Sequence, residues 1–98
     1  MWVSVDLCLV PIGVGVSLSP YVAACQKVIV QAGLDFELGP NGTAIEGEWE
    51  EVFSCIEHCH EAVHQLGAPR IYTVIKVNTG TDRRRLFKEK VAKVKSKL

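Results

Sequence analysis

An α+β fold built on one antiparallel sheet is what the sequence predicts, from three observations. Residues 3–10 and 70–78 alternate between two side-chain sets with period 2, the mark of strands. Residues 20–32 and 48–66 repeat apolar residues at helical spacing instead. Between the two helical stretches, Gly39-Pro40-Asn41-Gly42 is strong turn chemistry joining two short strand-like runs. The chain has 98 residues, room for one domain of about 100. Its 48% apolar content is enough to bury a core, which argues against disorder.

Each element follows in order. Val3, Val5, Leu7 and Leu9 form the apolar set of a first strand, which Pro11-Ile12-Gly13 ends. Ser19-Pro20 reads as an N-cap followed by proline at the first helical position, and Gly33 supplies the stop after Val22, Cys25, Ile29 and Ala32. Phe36 and Leu38 mark a second strand, and Thr43 to Glu46 return as a third. A second helix runs from about Glu48 to Leu66, with Val52, Ile56, Cys59, Val63 and Leu66 as its buried stripe. In the fourth strand Ile71, Thr73, Ile75 and Val77 share a face. Thr81 or Asp82 caps a last helix with Phe87, Val91, Val94 and Leu98 as its apolar stripe.

Two crossovers flanking one hairpin specify a ferredoxin-like βαββαβ antiparallel sheet, with helices on one face and an extra C-terminal helix. Residues 1–98 then form a single domain of this kind, with a C-terminal basic helix at about 82–98. The first strand should lie between the third and fourth. Ser4, Asp6, Cys8, Glu46, Tyr72, Val74 and Lys76 should face away from the two main helices, on a face that no intrachain helix covers. Such a face serves as an oligomer interface or as a ligand site.

The formal charge is zero, from 11 basic and 11 acidic residues, but the zero joins two unlike halves. Residues 1–82 hold three basic and ten acidic residues, giving −7, while residues 83–98 hold eight basic and one acidic, giving +7. No aromatic residues interleave with the terminal lysines to stack on bases, so nucleic acid is not an expected partner. Nor is a membrane: no apolar stretch approaches the roughly 20 residues needed to span one. No basic residue precedes Lys27, and Asp6, Pro11, Gly13, Gly15 and Pro20 break the N-terminal apolar run, so a secretory leader is not expected. A cytoplasmic protein with four reduced, largely core cysteines (Cys8, Cys25, Cys55 and Cys59) is the expectation.

His60-Glu61-Ala62-Val63-His64 spells the zinc-peptidase motif, in which two histidines one helical turn apart chelate zinc and the glutamate activates water. The third ligand of the extended motif would stand at Arg70, and a guanidinium that stays charged does not bind zinc. Cys55 and His64 fall about 180° apart around the helix, so the nearby cysteines do not complete a site. No metal, cofactor or catalytic pair is therefore expected, and the chain reads as a non-enzyme. Pro11-Ile12-Gly13-Val14-Gly15 lacks the phosphate-binding glycine fingerprint and any Walker lysine.

Five segments, taken together and in order, resemble the small thiamine-binding (YkoF-like) protein family. They are Val10 to Gly13, Ser17 to Ala23, Gly42 to Trp49, His60 to Val63 and Arg70 to Lys76, and the likeness runs from about Val5 to Lys97. The resemblance implies a ferredoxin-like fold assembled into homodimers or homotetramers through its sheets. It implies non-enzymatic binding of thiamine or its aminopyrimidine precursor, hydroxymethylpyrimidine. The family's Gly-Thr-x-x-Glu stretch maps onto Gly42, Thr43 and Glu46, and its Ser-x-Tyr-Val onto Ser19, Tyr21 and Val22. Two positions depart from the pattern: Asn41 stands where the family usually has Met, and Gly80 where it tends to have Arg.

The ligand's chemistry suggests the residues. An aminopyrimidine offers an exocyclic donor and ring acceptors, and thiamine adds a positive charge, so a carboxylate, hydroxyls and an aromatic wall are needed. Glu46 and Asp6 are the candidate carboxylates, Thr43 and Ser19 the hydroxyls, and Tyr21 or Trp49 the wall. The alternative function is a structural or scaffolding homo-oligomer with no physiological small ligand, whose open face only pairs subunits.

Overall fold

In the computed structural model, which describes residues 1–82 and 87–98, the element order is β1 (Trp2–Ile12), α1 (Ser19–Ala32), β2 (Asp35–Leu38), β3 (Thr43–Glu48), α2 (Trp49–Gln65), β4 (Arg70–Thr79) and α3 (Phe87–Lys95). The strands form one sheet in the order β2-β3-β1-β4, with every neighbouring pair antiparallel. β1 therefore lies between β3 and β4, as the two crossovers predict.

The period-2 pattern sets the faces. Val3, Val5 and Leu7 of β1 and Ile45 of β3 are buried beneath the helices. There they meet Cys25 and Ile29 of α1 and Val52, Cys55, Ile56, Cys59 and Val63 of α2 in one core. Burying side chains of the Val, Leu and Ile type contributes about 1.5–3 kcal/mol each, which is the main term holding the two helices on the sheet. Gly33, in the left-handed conformation at φ 72°, terminates α1 by donating its N–H to the carbonyl of Val30.

Several boundaries differ from the sequence reading. β1 continues through Pro11 to Ile12 because β3 pairs with it only as far as Leu7↔Thr43, while β4 accompanies it to Ile12↔Arg70. With one flank of β1 already free of a partner strand, a proline there is tolerated. The N-cap of α1 is Leu18 rather than Ser19, and no side chain caps that end. Leu66 at the end of α2 is exposed.

The last helix departs more. The expected start of that helix, around residues 82–86, lies partly outside the described residues, as do Arg83, Arg84 and Arg85. Of its predicted apolar stripe only Phe87 is buried, while Val91, Val94 and Leu98 are exposed. Phe87 sits over β3 on the sheet face opposite α1 and α2, where its N–H donates to Glu46 Oε2 at 3.1 Å. The open face is thus not bare, as the sequence suggested, because α3 closes its Glu46 end. The rest of that face carries Tyr72, Val74 and Ile12, all exposed, beside the half-buried Cys8 and Val10.

Candidate functional site

The unequal lengths of β1 and the β2–β3 hairpin create a pocket. Beyond Leu7, β1 has lost β3 as a neighbour, and the turn at residues 39–42 folds over the gap, closed by Gly39 N–H donating to Gly42 O at 2.8 Å. The N-terminal half of α1 forms the other wall through Leu18, Val22, Cys25 and Gln26, and Asn41 and Thr43 contribute from the turn side. The cavity measures about 170 Å³, and no residue on its wall is charged. A cavity of about 150 Å³ accepts a single benzene-sized ring, so this one has the size of one six-membered ring.

Two polar side chains meet on the wall. Gln26 Nε2 donates to Thr43 Oγ1 at 3.0 Å, while the other head atom, Oε1, is buried and has no hydrogen-bond partner. Exchanging the two amide atoms would not change the point: one end of the amide is held by Thr43 and the other is unmatched. Leaving a buried polar atom unmatched costs about 1–3 kcal/mol, which a ligand with the complementary group would recover. Gly42 matters here for space. A Cβ at that position would stand 2.8 Å from Asp6 Oδ1 and 3.2 Å from the Leu7 carbonyl oxygen, so a side chain there would push Asp6 aside and move the turn a few tenths of an ångström off β1.

The residues proposed from sequence divide among three places. Thr43 is buried on the pocket wall. Ser19 and Tyr21 occupy the first turn of α1 beside Leu18 and Val22, with Tyr21 packed toward the core and Ser19 exposed. Asp6 and Glu46 lie on the opposite face of the sheet, where Asp6 stands across from Lys76 on β4 and Glu46 across from Ser4 on β1. Trp49 opens α2 and stacks on Phe53 with ring centroids 4.5 Å apart, in a shallow groove with Met1, Glu48, Glu50 and Glu51. Sequence reasoning missed Gln26 altogether. It stands one residue beyond Cys25 on the edge of the α1 stripe, a place that carries no local signal of its pairing with Thr43.

Glu46 is 2% exposed. Burial pushes its carboxyl above the usual carboxylate range, and the charge of Asp35 adds to this. The Phe87 N–H, the Trp2 side chain and Lys90 pull the other way without cancelling it. The motif histidines on α2 are engaged within the fold. His60 Nε2 and the Thr73 hydroxyl are hydrogen-bonded at 2.8 Å, and His64 Nδ1–H donates to Ala68 O at 2.8 Å. Burial, then the neighbouring His64, depresses the basicity of His60. Among the described residues no group of three or more His, Cys, Asp or Glu is arranged to hold a metal ion.

The sequence model of the thiamine-binding protein family matches residues 5–95. The chain belongs to this family. Among its relatives is a UPF0045 protein of Synechocystis sp., 55% identical over 96 residues, an alignment spanning 98% of this chain and 79% of the relative. A UPF0045 protein of Methanothermobacter thermautotrophicus is 34% identical, with 98% and 99% of the two chains covered. Among solved structures, a protein of Methanocaldococcus jannaschii superposes with TM-score 0.87 at 23% identity, covering 96% of each chain. One from Thermotoga maritima, assigned provisionally to thiamine biosynthesis or salvage, gives TM-score 0.82 at 24% identity, covering 96% of this chain and 99% of that one. At these identities the two structures establish the shared fold alone.

Proposed function

We propose that this protein is a non-enzymatic small-ligand binder of ferredoxin-like topology, with thiamine or its aminopyrimidine moiety as the ligand. The observation that carries the reading is the ring-sized, uncharged pocket lined by Gln26, one of whose amide atoms is buried without a hydrogen-bond partner. An aminopyrimidine edge presents one donor beside ring acceptors, which the Gln26 amide, the Thr43 hydroxyl and Asn41 complement. The apolar walls from Leu9, Leu18, Val22 and Ile29 suit the faces of the ring. Ser19 and Tyr21 are not among the pocket's lining residues but flank Leu18 and Val22, which are, so they would contact a ligand that reaches past the first turn of α1. Asp6, Glu46 and Trp49 reach a ligand only if it extends beyond the pocket or is shared with a second subunit. Calorimetric titration with thiamine and with hydroxymethylpyrimidine tests this. Saturable heat that falls sharply in Gln26→Leu supports the reading, and no heat at millimolar concentrations of either compound sinks it.

A second reading, a homo-oligomer without a small ligand, has its own observation. Tyr72 is 64% exposed and adjoins Val74 and Ile12 on the open face, and the Val91–Val94 stripe of α3 is uncovered. Apolar patches of this kind mark association surfaces. We place self-association through that face in either reading, in a dimer or tetramer, and the protein in the cytoplasm. No described helix is long and apolar enough to cross a membrane. Native mass measured with and without ligand separates the two readings.

A further inference from the structure

Three of the four cysteines converge where α1 crosses α2. Cys55 and Cys59 stand one turn apart on the buried stripe of α2, and Cys25 faces them from α1. The Cys59 thiol lies 3.8 Å from the Cys25 carbonyl oxygen, to which it donates. All four cysteines are free thiols. Cys59 has no exposed surface, whereas Cys25 keeps 7% of its surface exposed and forms part of the pocket wall. One thiol is therefore reachable from the pocket, with a second in contact behind it.

We propose that Cys25 and Cys59 form a thiol–disulfide exchange pair, in which Cys25 takes up a small disulfide from the pocket and Cys59 resolves it into an interhelix disulfide. In the first step the Cys25 thiolate, its proton released to solvent, attacks one sulfur of a low-molecular-weight disulfide RSSR. The Cys25–S–S–R bond forms, the RS–SR bond breaks, and the RS⁻ that leaves is protonated to RSH. In the second, Cys59 loses its proton and attacks the Cys25 sulfur, expelling the second RS⁻, which is protonated to RSH. The chain loses two electrons and two protons, and RSSR is reduced to two RSH. Hydrogen bonding from Cys59 lowers the Cys25 thiol from its ordinary value, whereas Cys59 is raised. Its place on the pocket wall, which Cys59 does not share, makes Cys25 the first nucleophile. Cys55 shares α2 with Cys59, so Cys25 is the partner that makes the bridge an interhelix one. The inference does not depend on what the pocket binds.

The test uses the full chain carrying Cys8→Ser, because Cys8 is a half-buried thiol beside the same pocket. The reduced, folded protein is treated with 2-hydroxyethyl disulfide, quenched by alkylation and digested with a glutamate-specific protease, which cuts at Glu57 between Cys55 and Cys59. The expected product is one disulfide per chain joining the Cys25 and Cys59 peptides, reversed by a thiol reductant. Cys59→Ala is expected to stop at a mixed disulfide on Cys25. A Cys25 thiol that stays free in the folded protein overturns the proposal, as does a bridge confined to Cys55 and Cys59. If the Cys59 variant does not fold, the peptide map of the protein retaining Cys59 decides alone.

Discussion

Replacing Glu46 by Gln isolates what the buried carboxylate does to stability. Gln keeps an oxygen able to accept from the Phe87 N–H, now 3.1 Å from Oε2, and removes the ionisable group. Burial raises the Glu46 carboxyl above its ordinary value of 4.5. The folded state therefore holds its proton more tightly than the unfolded state does, and the contribution of Glu46 is fully present below about pH 4.5. It is lost as pH rises through the folded value. Each unit of that elevation is worth about 1.36 kcal/mol. Urea unfolding of wild type and Glu46→Gln from pH 4 to pH 8 should show the variant gaining on the wild type as pH rises. Near neutrality it should equal or exceed the wild type. Glu46→Ala should follow the same pH trend but lie below Glu46→Gln at every pH, because it leaves the Phe87 N–H without its acceptor, at about 1–3 kcal/mol. It also removes a buried methylene worth about 0.8 kcal/mol. A Gln variant that loses ground to the wild type as pH rises would refute the reasoning, since the carboxylate would then be stabilised rather than penalised by the fold.

Other outcomes follow from particular contacts. Ile29→Ala, at a fully buried position on the pocket floor, should cost about 2–5 kcal/mol by denaturant unfolding while enlarging the cavity. Gly42→Ala should destabilise by about 1–3 kcal/mol, because its Cβ drives the turn away from the Leu7 carbonyl, and ligand affinity should fall with it. The Cys25–Cys59 bridge spans a sequence separation of 34. By chain entropy it should stabilise the oxidised form by about 4 kcal/mol before strain, read as a raised denaturation midpoint. His60 is depressed by burial, so its contribution is present above pH 6.5 and is lost as pH falls through the folded value. Acid unfolding of His60→Gln should begin at lower pH than that of the wild type. Charge opposition between the acidic and basic parts of the chain predicts that self-association weakens with added salt, measurable by sizing chromatography.

Strand and helix placement was legible because each element buries one face, and the period of burial is written directly in Val3-Val5-Leu7 and in Val52-Ile56-Cys59-Val63. The division of the candidate site could have been read by the same rule. Thr43 and Glu46 are three residues apart on one strand, so they must point to opposite faces; the shared Gly-Thr-x-x-Glu stretch obscured this by presenting them as one unit. Gln26 was not legible, because nothing local separates a glutamine at the edge of a helix stripe from a solvated one. Its role depends on Thr43, seventeen residues away in sequence. The landing of Phe87 on Glu46 was hidden for a similar reason: the basic residues around it describe a solvated helix, and its docking joins a buried ring and a backbone donor to a residue 41 positions away.

The late start of β3, at Thr43 opposite Leu7, has a consequence for how such a protein can change. The pocket is a shortfall, the space left where a short hairpin runs beside a longer strand, and the sealed core between the sheet and α2 takes little part in it. Adding or removing residues at the tip of the turn, around Pro40 and Asn41, would resize this space while Ile45, Val52 and Val63 stay packed as they are. The dimensions of the guest are therefore decoupled from the stability of the host. A scaffold arranged in this way can exchange one small molecule for another, or carry none, without having to fold differently.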